Sequence, residues 1–264
     1  MEREKVALTI AGSDSGGGAG IQIDLKTFNK IGVFGASVIT SLTAQNTLGV
    51  QGIYDVSPEF VKQQLDSVFS DLNIQYAKTG MLSNVRIVEV VSNYIREVIN
   101  NGKLKGLVID PVMRAKGGDP LLQKDAIESL ISNLIPLALV ITPNIPEAEL
   151  LTKMKIETIE DMKKAAIEIH KLGPKYVIVK GGHLKGEHAI DIVFDGTNFY
   201  MLKSKKVFKG DVHGTGCCFS ASITAFLTKG ETPLNAIKKA KKFISKAIKD
   251  GVYIGNGFRV LKTY

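Results

Sequence analysis

Between Val212 and Phe226 the chain reads VHGTGCCFSASITAF, and no charged residue follows until Lys229. A helix without a charged face has no side to offer water, so it belongs in the core. Any fold must therefore wrap other elements around this one. The helix begins in a Gly-rich turn, His213-Gly214-Thr215-Gly216. The first backbone N–H groups of a helix lack intrahelical partners and carry the positive end of the macrodipole. With Gly214 and Gly216 in the turn, nothing obstructs an anion approaching those groups. Gly214, Thr215 and Gly216 thus read as an anion hole. A tight turn into a core helix would use the same glycines, so the stretch alone fits both readings.

A wrapped helix needs a sizeable core. The 264 residues, 44% of them apolar, can supply one as a large α/β domain or two small ones. No apolar run approaches the ~18 residues of a membrane span, and MEREKVALTI lacks a signal peptide's layout, which points to the cytoplasm and to no membrane partner. Cys217 and Cys218 are the only cysteines. Adjacent Cα atoms lie ~3.8 Å apart, below the ~4.4–6.8 Å that disulfides span, so free thiols in a reducing compartment are expected. The net charge of +8, from 34 Lys and Arg against 26 Asp and Glu, suits nucleic acid or a phosphorylated substrate equally.

Val6–Ala11 reads as a buried first strand, followed by the loop GSDSGGGAG and a helix from Ile21 to Ile31. A strand, a Gly loop and a helix place a ligand at the strand's C-terminal end. No Lys follows the glycines and they do not fall as GxGxxG, so neither a Walker A loop nor a dinucleotide fingerprint is present. Asp24 sits one turn into that helix, either facing a small ligand or compensating the dipole. Residues 36–43 and 50–56 are β-rich runs. Ser57-Pro58 opens a helix, with Ser as N-cap. Short strands at 76–79, 107–109, 140–142 and 176–179 alternate with helices at 85–99 and from Thr158, whose cap pairs with Asp161. Runs 189–194 and 199–207 flank Asp195-Gly196, a hairpin signal. Pro233–Asp250 is amphipathic, with Lys238, Lys239, Lys241, Lys242, Lys246 and Lys249 largely off its apolar stripe. That lysine run reads as a solvated face, and no nucleic-acid partner is expected. With no repeat or linker, residues 1–264 form one α/β domain: a mainly parallel sheet between helix layers, with one late hairpin.

Asp110, Asn144 and Lys180 each follow a short buried strand, so topology brings them to one end of the sheet. A transferring phosphoryl group needs positioning, charge neutralisation and an available nucleophile. Glu147 and Asp110 can hold Mg2+, directly or through water. Lys180 can neutralise phosphate charge. Cys217, at a helix N-terminus where a thiolate is favoured, can accept a proton from an attacking hydroxyl, or be a small buried hydrophobe. His170, His183, His188 and His213 show no zinc spacing.

AGSDSGGGAGIQIDLKTF, LTAQNT, KTGML, DPVM, TPNIPEAE, VKGGH and HGTGC occur here in order. Together they closely resemble the hydroxymethylpyrimidine/phosphomethylpyrimidine kinases of thiamine biosynthesis, in the ribokinase superfamily. The resemblance implies a ribokinase-like fold, use of ATP and Mg2+, and a homodimer. It implies phosphorylation of 4-amino-5-hydroxymethyl-2-methylpyrimidine and then of its monophosphate. It also puts Gly12, Asp24, Gln45 and Met81 in the pyrimidine pocket, Asn144 and Glu147 near magnesium and phosphate, and Lys180 on the nucleotide. Cys217 falls where many ribokinase-like enzymes carry a catalytic Asp. A Gln amide, donor and acceptor in one group, suits a ring nitrogen beside an amino group. Three features depart from the family pattern: Thr43 before Ala-Gln, Cys218 after Cys217, and the ending GNGFRVLKTY. Pyridoxal kinase is the nearest alternative, though such enzymes tend to lack the Gln of AQNT and the Lys of KGGH. A non-catalytic nucleotide-binding protein is a more distant one.

Overall fold

The strand runs alternate their two faces, and that alternation builds three layers. In the computed structural model, which describes residues 4–113, 121–182, 184, 186–206 and 212–263, the first half holds β1 (Val6–Asp14), α1 (Gly20–Ile31), β2 (Phe34–Asn46), β3 (Gly49–Asp55) and α2 (Pro58–Asp71). Then come β4 (Ile74–Thr79), α3 (Val85–Asn100), β5 (Gly106–Ile109) and α4 (Lys124–Ser129), the last prolonged by a π turn and a 3-10 turn to Leu137. β6 (Val140–Ile141), α5 (Ile145–Thr152), α6 (Ile159–His170) and β7 (Tyr176–Gly181) follow. The chain goes on through β8 (His188–Phe194), β9 (Phe199–Lys205), β10 (Val212–His213), α7 (Thr215–Thr228), α8 (Pro233–Lys249) and β11 (Arg259–Val260). His183 of VKGGH and Val207 of the expected hairpin lie outside the described residues.

Among the described residues the main sheet has nine strands in the order β3-β2-β1-β4-β5-β6-β7-β8-β9. From β2 to β7 all neighbours run parallel. The late hairpin β8–β9 is antiparallel, as its Asp195-Gly196 turn predicts. β7–β8 is antiparallel too, and the antiparallel pair β2–β3 closes the opposite edge, where the sequence reading gives two β-rich runs without a direction.

On one face Leu8, Ile10, Leu107, Ile109, Ile141, Val177 and Val179 pack with α2 to α6. Their strand neighbours Val108, Val140 and Ile178 face α7 and α8, while Ala7 packs with α1 and α7. The period of two thus feeds both helix layers from one set of strands. α7 is buried along nearly its whole length, as its missing charges require. Its hydroxyls turn back on the helix: Ser222 donates to Cys218 O at 2.7 Å and Thr224 to Ser220 O at 2.9 Å. Serine and threonine are thereby satisfied without water.

The caps follow the sequence. Ser57 accepts from Phe60 N–H, and the Thr158–Asp161 and Asn144–Glu147 boxes both form.

Candidate active site

β1 and β4 are neighbours, yet the chain leaves β1 toward β2 and later returns to β4 on the other side. A crevice opens beyond the strand ends at such a switch in direction. Here it is a cavity of about 560 Å³. Gly12, Gln45 and Met81 line one end, Gly214–Cys217 the middle, and Asp110, Asn144, Glu147 and Lys180 the far side. The expected convergence of strand-end residues is therefore present. Asn144 and Lys180 even bridge as strand neighbours, with Lys180 N–H donating to Pro143 O at 2.8 Å.

At the far side, Lys180 Nζ lies 3.0 Å from Asp110 Oδ1, and the Thr142 hydroxyl lies 3.2 Å from the same oxygen. Burial works against the Lys180 charge, but Asp110 and Glu147 outweigh it and hold its pKa above the ordinary value. The capping box fixes Glu147: its carboxylate accepts from Asn144 N–H at 2.7 Å. Burial pushes Glu147 up to about 7, with Lys180 pulling down and Asp110 pushing up, so it is partly protonated at neutral pH. The start of α7 faces this group. A Cβ at Gly216 would lie 3.1 Å from Asp110 Oδ2 and 3.2 Å from Lys180 Nζ. Gly214 adopts φ 81° as the N-cap, and a Cβ there would meet Gly18 O at 2.0 Å. Only glycine lets the two Gly turns interlock.

At the other end, Gln45 Nε2 is 2.9 Å from His213 Nε2, which is 3.2 Å from Asp14 Oδ2. The Gln45 amide N–H needs a bare ring nitrogen and the Asp14 carboxylate needs an N–H there, so the two neighbours make opposite demands on it. Asp14 also accepts from the N–H groups of Gly16, Gly18 and Ala19 and so organises the first loop. Burial opposes its ionisation, but His213 and those N–H groups outweigh it and hold its pKa below the ordinary value. Asp14 and His213 are absent from the sequence-based set, although both stand inside quoted motifs. Thr43, where an aliphatic residue is expected, places its hydroxyl 3.0 Å from Ser13 O and 3.2 Å from Gln45 Oε1. Beyond Lys180 the cavity continues past Asp191, Ser204, Lys206 and Lys241. Lys241 Nζ lies 2.6 Å from Asp191 Oδ2, so this lysine departs from the expected solvated face.

Two expectations are corrected. Asp24 does not line the cavity: it is fully buried, with Lys78 Nζ 2.9 Å away and the Thr9 hydroxyl donating at 2.7 Å. A lysine on β4 takes the place expected for a ligand. Cys217 lines the cavity, but its thiolate is not favoured. Desolvation pushes the thiol up to about 12, against the opposing pull of Lys78 and of Gly20 N–H. Cys218 is buried against the Thr27 hydroxyl at 3.4 Å, away from the cavity.

Known proteins resemble this chain in sequence and fold. Residues 14–262 match the phosphomethylpyrimidine kinase family. The hydroxymethylpyrimidine/phosphomethylpyrimidine kinase of Bacillus subtilis is 46% identical over 95% of this chain and 92% of that protein. The thiamine biosynthesis bifunctional protein of Geobacter sulfurreducens is 46% identical over 95% of this chain, which spans about half (50%) of that longer protein. The ADP complex of Bacillus subtilis pyridoxal kinase superposes with a TM-score of 0.90 at 39% identity, covering 99% of this chain and 98% of that one. The architecture is thus that of the ribokinase-like vitamin kinases, and by a match along nearly its whole length the chain belongs to the phosphomethylpyrimidine kinase family.

Proposed function

We propose that the chain transfers the γ-phosphoryl group of ATP to 4-amino-5-hydroxymethyl-2-methylpyrimidine and then to the monophosphate, supplying the diphosphate for thiamine diphosphate synthesis. One observation carries the reading. A single cavity joins an amide at one end, Gln45, to a helix N-terminus and a lysine at the other. Gln45 reads the pyrimidine's ring nitrogen and amino group, with Gly12 and Met81 as walls. Gly214, Thr215 and Gly216 receive the transferring phosphoryl group on backbone N–H groups that need no reorganisation. Lys180 spreads positive charge over the phosphates, and the Asp191–Lys241 side accepts the rest of the nucleotide. Cys217 faces the acceptor hydroxyl. In its minor thiolate form, the thiol proton having left to solvent, it takes the hydroxyl proton late, which a loose transition state permits because little proton removal is needed early.

The far side also fits Mg2+. Asp110 and Glu147 offer two carboxylates, and magnesium typically takes one or two along with phosphate oxygens and water. Bound there, the ion would neutralise phosphate charge; Glu147, through water, and Asp110 are the residues that would hold it.

No described helix is long and apolar enough to cross a membrane. Free Cys217 and Cys218 suit a reducing, cytoplasmic setting. The homodimer reading is supported by an apolar row on the β2–β3 edge. Leu42 pairs with Tyr54 across the strands, and they are 45% and 72% exposed.

Pyridoxal phosphorylation is the second reading, favoured by the backbone likeness to the pyridoxal kinase. An assay with ATP against hydroxymethylpyrimidine, its monophosphate and pyridoxal separates the two. Pyrimidine turnover should exceed pyridoxal turnover. Gln45→Met should weaken pyrimidine use by about 1–3 kcal/mol in transition-state terms. An unchanged kcat/KM would remove Gln45 from recognition.

A further inference from the structure

The ending GNGFRVLKTY matches none of the quoted motifs, yet it packs against the pyrimidine end from two sides. Through β11 it pairs with β10, Val260 beside His213 and Arg259 beside Val212. Just upstream it reaches the turn that follows Gln45. Phe258 N–H donates to Thr47 O at 2.9 Å and Gly257 N–H to Thr47 Oγ1 at 3.1 Å. The approach is too close for a side chain: a Cβ at Gly257 would lie 1.9 Å from Thr47 O, and one at Gly255 2.6 Å from Thr47 Oγ1. Val260 is buried, and its Cγ1 would lie 3.0 Å from a Cβ at Gly18 in the first Gly loop.

Gln45 and His213 stand 168 residues apart, and their side chains meet at 2.9 Å. Each is borne by a short segment that the tail grips, β2's end through Thr47 and β10 through Val260. We infer that residues 255–260 form a positioning strap that sets the spacing of Gln45 and His213, with Thr47 and Gly257 as its contact point. The idea rests on the reading that Gln45 recognises the pyrimidine. The contacts described above join the strap to Thr47 and to β10, so its effect belongs to the acceptor and not to the nucleotide.

The test uses Gly257→Ala, Thr47→Val and Thr47→Ser in the full chain. The first drives a methyl group into Thr47 O, the second removes the hydroxyl acceptor, and the third keeps it. The first two should raise the KM for hydroxymethylpyrimidine about tenfold and leave the KM for ATP within about twofold, while Thr47→Ser stays near wild type. In the ligand-free protein, NMR of the His213 ring, assigned by its loss in His213→Asn, should move in the first two variants only. Equal changes in both KM values, or an unmoved His213 signal, overturn the strap. If Gln45→Met leaves pyrimidine use intact, recognition by Gln45 fails, and the His213 signal still decides the strap by itself.

Discussion

Two Lys–Asp pairs lie near the start of α7, and they are nearly the same bond in different surroundings. Lys180 and Asp110 meet at 3.0 Å with side chains 16% and 2% exposed, at the cavity wall. Lys78 and Asp24 meet at 2.9 Å with no exposure at all. Asp24 Oδ1 has no hydrogen-bond partner among the described residues, so the inner pair is held by charge more than by a filled network. Burial alone would discharge Lys78, but the charges of Asp24 first and of Asp110 outweigh it and keep the pKa raised. The outer lysine can reach for a phosphate. The inner one can only hold β4 to α1. Access to the cavity, not the ion pair itself, separates the lysine proposed to act on phosphate from the one that serves as scaffolding.

The sharpest way to break this contrast is Lys78→Met. Removing one partner of a sealed pair leaves an uncompensated charge, which typically costs about 3–5 kcal/mol. Chemical denaturation should show that loss, and the double variant Lys78→Met with Asp24→Leu should recover most of it. If the double variant is no better than the single, the pair is not the source of the loss. Lys180→Ala should do the reverse. Stability should fall less, because Asp110 is left facing the cavity and its water, while turnover falls about 10²–10³-fold, because the lost charge is needed most in the transition state. Calorimetry showing pyrimidine binding lost, with single-turnover chemistry intact at saturation, would reverse the assignment.

Cys217 lies within the fields of both pairs. Cys217→Ala should lower turnover within or below the ~10²–10⁴-fold range of general-base effects. The second phosphorylation should suffer less than the first, because a phosphate monoester with a second pKa of ~6 is already mostly ionised at neutral pH. Equal losses in the two steps would leave Cys217 a positioning residue. Cys218→Ala should leave turnover alone.

The smallest effect concerns Glu147, which adjoins only the outer pair. It is held at about 7 in the folded chain against an ordinary 4.5. Between those values the folded chain keeps a proton that the unfolded chain has released, so stability falls as pH rises through the window. Glu147→Gln removes that loss and can still accept from Asn144 N–H. Its Tm relative to wild type should therefore climb by a few degrees between about pH 5 and pH 8. A difference independent of pH would mean that Glu147 is not held up by burial.

Most of the elements are legible in the sequence because their signals are local. Ser57-Pro58, the Thr158–Asp161 box and the uncharged run of α7 each specify their structure within a few residues. The site is legible where a residue ends a strand, as Asp110, Asn144 and Lys180 do. It is not legible where the deciding partner is distant. Asp24 is claimed by a lysine 54 residues away, and Asp14 meets a histidine 199 residues away. Cys217 misleads for another reason. A helix N-terminus favours a thiolate, but removal from water opposes it more strongly, and burial is not local information.

The dry setting of α7 also decides how dissolved salt acts. Mobile ions screen exposed charges beyond about 10 Å at 0.1 M but cannot enter a packed core. The +8 net charge draws anionic substrates from outside, through solvent. The field at Gly214–Gly216 arises from a helix buried along nearly its whole length. Raising ionic strength should therefore slow the capture of ATP, seen in kcat/KM, while the turnover of substrate already seated at the helix stays nearly constant.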